Sequence, residues 1–122
     1  MIVGGGNPGS NINVGNFTPM FTSGQGSDEA DFQDVMTVAG TISQFFVRQG
    51  TATGAGRNNV WTLRKNGSVT ALTCTVPAAA TTCSDTTNSV SFSVGDLISV
   101  QLTAGAGGGT NTPANWTAKF VP

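Results

Sequence analysis

The stretch NVWTLRKNGSVTALTCTV, Asn59–Val76, decides the fold class. It holds two runs of strand-forming residues parted by Asn66-Gly67. Asn-Gly is the strongest two-residue hairpin signal, because both positions tolerate φ > 0 and the turn then follows the twist of the flanking strands. Trp61 and Leu63 share a face, as do Leu72, Cys74 and Val76. The predicted hairpin therefore has one apolar side.

The period of two continues downstream. Ser89–Val94 (SVSFSV) alternates, with Val90, Phe92 and Val94 expected inward and the serines outward. Gly95-Asp96 turns the chain into Leu97–Thr103, where Ile98, Val100 and Leu102 share a face. A Gly-rich loop, Ala104–Ala114, leads to a closing strand with Trp116, Ala118 and Phe120 on one side. Upstream of the hairpin, a short run Val35–Val38 precedes Thr41–Gln49 (TISQFFVRQ). Plain alternation there puts Phe45 and Val47 on one face and Ile42 and Phe46 on the other. A strand apolar on both faces is covered on both sides, by core on one and by a partner on the other. Gly50–Gly56 and Pro77–Asn88 read as loops. Helical periodicity is confined to a turn near Asp28–Gln33. Seven or eight short strands with turn signals indicate an all-β chain: a single antiparallel β-sandwich with jelly-roll topology over residues 32–122. Residues 1–31, rich in Gly, Asn, Ser and Thr, read as an extended N-terminal arm, with short strands near Asn11–Val14 and Phe17–Phe21.

The chain has 122 residues, the size of one domain. Only 9% of them are charged, the net charge is −1, and the basic residues are scattered. Nothing could neutralise a row of phosphates, which argues against nucleic-acid binding. No run reaches the ~20 apolar residues of a membrane-spanning helix, and membrane insertion is not expected. Met1–Ser10 has neither the basic n-region nor the long apolar h-region of a secretory signal.

The two cysteines, Cys74 and Cys83, have no histidine to share a zinc site or a nucleophile pair with. Their preferred reading is a disulfide closing a small loop, which implies an oxidising setting; the alternative is two small buried thiols. The acids Asp28, Glu29, Asp31 and Asp34 lack EF-hand spacing and read as a solvated run capping a helical turn. Asp85 and Asp96, the only acids in the body of the domain, are expected as turn residues. With no His and one isolated acid per loop, no catalytic triad or carboxylate pair can be assembled, and no enzyme is expected. Gly4-Gly5-Gly6 and the glycines of 105–109 lack the context of a phosphate loop and read as flexible loops. Trp61 and Trp116 are expected in the core. Asn16, Asn66 and Asn115 head N-x-S/T sequons, which matter only in a glycosylating host. No cofactor is expected.

The segments GTISQFFV (Gly40–Val47), WTLRKNG (Trp61–Gly67), LTCTV (Leu72–Val76), CSDTTNSV (Cys83–Val90), VGDLISVQ (Val94–Gln101) and WTAKF (Trp116–Phe120) run in a particular order. That order resembles the compact jelly-roll heads of the tumour-necrosis-factor and complement-head type, in the style of bacterial and phage surface and fibre proteins. The likeness covers about two-thirds of the chain and departs from collagen-stalked members in having no G-x-y repeat. It implies a trimer packed through inner strands around a three-fold axis.

The expected function is that of a non-enzymatic structural protein on a virion or extracellular surface: a capsid decoration, fibre-head or filament subunit. Its partners would be copies of itself and a capsid or fibre protein. The arm would tie neighbours together by adding a strand to a sheet edge. The expected assembly residues are Asn11, Ile12, Val14, Phe17, Phe21, Phe45 and Phe46. The alternative is a module that binds a surface glycan or receptor through the 50–56 and 104–114 loops.

Overall fold

The structure is a computed structural model that describes every residue, Met1–Pro122. Nine strands form two antiparallel sheets. They are β1 (Ile2–Gly6), β2 (Phe17–Pro19), β3 (Asp34–Val35), β4 (Gly40–Gln49), β5 (Asn59–Lys65), β6 (Ser68–Val76), β7 (Thr82–Phe92), β8 (Leu97–Ala104) and β9 (Ala114–Val121). One sheet has the order β1-β9-β4-β7; the other runs β2-β8-β5-β6, with β3 also pairing β8. We call them the front and back sheets.

The hairpin forms as its turn chemistry requires. Asn66 and Gly67 both adopt positive φ, 51° and 80°, and Lys65 pairs with Ser68 across the turn. The Asn66 side chain then serves a second turn. It accepts from Leu97 N at 2.8 Å and donates to Asp96 Oδ1 at 3.0 Å, while Asp96 Oδ2 accepts from Ser93 N at 2.7 Å. These hydrogen bonds, led by that from Asn66, hold the Asp96 carboxyl below its ordinary pKa.

The core lies between the sheets. Trp61 of the back sheet and Trp116 of the front sheet face each other with ring centroids 5.9 Å apart. Both are fully buried and both indole N–H groups donate, Trp61 to Gln49 Oε1 and Trp116 to the Met20 carbonyl. The inward positions of β5, β8 and β9 are those the alternation marked. Val94 is not inward: β7 ends at Phe92, and Val94 stands 67% exposed in the following turn.

The first 31 residues do not form an arm. β1 pairs with β9, β2 pairs with β8, and Ile12 forms a bridge with Thr112. Ile12 and Met20 are wholly buried. The physical reason is backbone rather than side-chain chemistry. A β-carbon at Gly4 or Gly5 would collide with the Trp116 or Met20 carbonyl, so this glycine run lies closer to its neighbours than other residues could. What composition suggests as flexibility is close approach.

Cys74 on β6 and Cys83 on β7 form a disulfide with Cα atoms 5.6 Å apart. Cys83 lies in a strand, because β7 begins at Thr82 and not after a loop ending at Asn88. The bond joins the two sheets along one long edge. Its short loop contributes about 2–3 kcal/mol by loop-closure arithmetic. Replacing both cysteines by serine is expected to lower the urea midpoint by that amount of stability at nearly unchanged slope.

Candidate functional site

The front sheet is broken by a bulge. Gln44 of β4 takes φ 54°, and the pairing shifts on both sides of it. Between Ser43 and Phe46, β4 spends one residue more than β9; between Ser43 and Phe45, it spends two fewer than β7. A bulge re-aims the side chains beyond it. Ile42, Phe45 and Val47 consequently all point into the core, and Phe46 alone points out, 48% exposed. The two-faced strand expected from plain alternation is therefore one-faced, with a single aromatic left outside.

The pairing registers lay out the outer face around Phe46. Thr117 of β9 and Ser84 of β7 flank it. The next row holds Asn115, Arg48 and Thr82; the row on the other side holds Ile2, Lys119, Ser43 and Ser89. Phe46, Arg48, Asn115, Thr117, Thr82 and Ser84 line a depression of about 580 Å³. Small hydroxyl residues dominate the face, and none of the six carboxylates lies on it. Arg48 and Lys119 make no ion pair, whereas Arg64 and Lys65 pair with Glu29 and Asp96.

Asp85 supports the bulge from inside. It is opposite Phe45 and 7% exposed. Its carboxylate accepts from Thr87 N at 3.0 Å, Asn88 N at 3.1 Å, Asn88 Nδ2 at 2.9 Å and, across the sandwich edge, Thr73 N at 3.2 Å. Burial works to raise its pKa. The donors, the Asn88 side chain first, outweigh burial and hold it below the ordinary value. Asp85 is thus a strand residue that fixes the extra residues of β7, not a turn residue.

No protein-family model and no curated protein matches this chain.

The other expected assembly residues do not gather with Phe46. Ile12 and Phe45 are in the core; Val14 and Phe21 pack against it. Phe17 lies under the Arg64 guanidinium, 5.1 Å from it, and Asn11 is exposed at the start of the Ile12 bridge. The acidic run is divided among local tasks. Asp28 accepts from Ala30 N to cap a 3-10 turn at Glu29–Asp31, and Asp34 accepts from Phe21 N at 2.7 Å. Glu29 pairs with Arg64 through both carboxylate oxygens, at 2.7 and 3.1 Å, and takes the Ser99 hydroxyl at 2.8 Å. Burial works to raise the Glu29 pKa, but Arg64 and Ser99 hold it low.

The 50–56 and 104–114 loops are tied to one another. Arg57 donates to the Gly109 carbonyl at 2.9 Å and Gly54 N to Thr110 Oγ1 at 3.0 Å. Beneath them, buried Gln49 and Asn59 bond each other at 2.9 Å, and Asn59 exchanges hydrogen bonds with the Thr110 backbone. Nothing in the sequence singles out Arg48, Thr82 or Ser84, and Asn115 and Thr117 stand out there only as the ends of a sequon. These residues belong to three separate strands, β4, β7 and β9, and only the registers around the bulge bring them to one place.

Proposed function

We propose that the chain is a non-enzymatic structural subunit of a virion or extracellular assembly, that its sandwich is a jelly roll, and that it associates as a trimer. The strand order supports the jelly roll. The two four-strand paths β1-β9-β4-β7 and β2-β8-β5-β6 draw their members alternately from along the chain, so that β4 to β5 and β6 to β7 cross between sheets. The disulfide suits an oxidising location.

One observation carries the association. Three of the eight exposed large apolar side chains, Met1, Val35 and Val38, gather at one end of the molecule. There a cleft of about 240 Å³ opens between β1, β9 and the β3–β4 connection, lined almost wholly by apolar residues including Phe21, Met36 and Phe120. A contiguous apolar patch of this kind marks an interaction surface. Copies meeting at this end, not an arm, form the trimer.

Light scattering after size exclusion tests this. The expected mass is three times 12.3 kDa. Val35→Asp with Val38→Asp, both at exposed positions, is expected to give a folded monomer. A monomeric parent chain, or a trimer unmoved by the double substitution, overturns the reading.

A further inference from the structure

From the Phe46 depression we infer a second site, one that binds a carboxylate-bearing saccharide. It lies on the outer face of the front sheet and is independent of association at the apolar end. Three features converge. Phe46 offers an exposed aromatic face in the middle of a sheet. A flat apolar plate of one ring fits the C–H face of a pyranose and is small for a protein partner, whose anchors are larger buried clusters. The ring is surrounded by short hydroxyls and one amide, from Thr117, Ser84, Thr82 and Asn115. These groups donate and accept, as the hydroxyls of a sugar require.

The third feature is charge. Arg48 stands beside Phe46 with no acid to pair with, and Lys119 stands on the other side of Thr117. Arg64 and Lys65 are paired with acids and Arg57 donates to the Gly109 carbonyl, whereas the Arg48 guanidinium, on a face without acidic side chains, has its fork available. A guanidinium binds a carboxylate through two parallel hydrogen bonds, which fixes orientation as well as adding energy. An aromatic plate, a ring of hydroxyls and a free guanidinium at one edge together describe a sugar ring bearing a carboxylate. Sialic acids and uronic acids both have that chemistry.

Titrating the labelled protein while following backbone amide resonances tests the site, with sialyllactose, trigalacturonate, lactose and sodium sulfate as probes. At least one of the acidic sugars is expected to shift the amides of Phe46, Arg48 and Thr117, and which of them does so identifies the source of the carboxylate. Lactose is expected to bind about ten-fold more weakly or worse, the loss of a charge-assisted hydrogen bond. Phe46→Ala and Arg48→Gln, both at exposed positions, are each expected to weaken the acidic sugar about ten-fold with the thermal transition unchanged. Sulfate matching the sugar at the same amides means an ion site only and overturns the inference. So do undiminished binding by Phe46→Ala and silence of these amides at about 10 mM sugar, beyond the millimolar range of weak affinity. Burial of the Phe46 face between copies also overturns it, and would show as a face that opens to sugar in no oligomeric state. The Val35→Asp, Val38→Asp chain separates the two readings, since its loss of trimer leaves this site intact.

Discussion

Removing residues 1–21 is expected to abolish cooperative folding, seen as loss of the sigmoidal thermal transition in near-ultraviolet circular dichroism. The segment supplies β1 and β2, the edge strands on one side of both sheets. It also supplies Ile12 and Met20, which are fully buried, and the Met20 carbonyl that satisfies the Trp116 indole. Truncating one such side chain costs about 2–5 kcal/mol. Two of them, with an unsatisfied indole N–H and two stripped sheet edges, approach or exceed the ~5–15 kcal/mol that holds a domain together. A shortened chain that kept a sharp transition would mean that β9 and β8 close the core unaided.

Replacing Asp85 by alanine is expected to cost about 3 kcal/mol, because it leaves three backbone donors and the Asn88 amide without their acceptor in a largely buried place. The loss should also shift the amides of Gln44 and Phe46, since the carboxylate holds the β7 side of their bulge. The same group sets a pH dependence. Its folded pKa, like that of Glu29, is below the unfolded value, so the folded state binds fewer protons in acid. The stabilisation is fully present above the unfolded carboxyl values near ~4 and is lost as pH falls through the folded ones. Urea midpoints are therefore expected to be level from neutral pH to about 5 and to fall below about 4, less steeply in Asp85→Asn. A parent chain with flat midpoints across that range would remove Asp85 and Glu29 as linked groups.

Much of the back sheet and the last strand was legible because their signals are local. Asn66-Gly67 names its own turn, and Ile98, Val100 and Leu102 alternate without interruption. The N-terminal segment was not legible, because Ile12 and Met20 are isolated apolar residues among glycines and polar residues, and only tertiary contact makes them core. The outer site was hidden for a different reason. Nothing about Gln44 as a residue announces φ 54°, yet that one torsion decides which of two adjacent phenylalanines is seen by solvent. Asp85 misled because aspartate is a common turn residue, and its role depends on donors from Thr73 and Asn88 that the strand pairing brings to it.

The disulfide lies along one long edge only, and the Asp85–Thr73 hydrogen bond reinforces that same edge. The sandwich is accordingly bound like a book, with a spine at β6 and β7 and a fore-edge at β1, β2 and β3. Fluctuations will gape at the fore-edge, where short strands and glycines offer the least resistance. That is also the margin at which the exposed apolar side chains gather, so a momentary opening in two copies invites each to borrow the other's first strand. The covalent staple thus confines the chain's risk of swapping to the margin where we place its association.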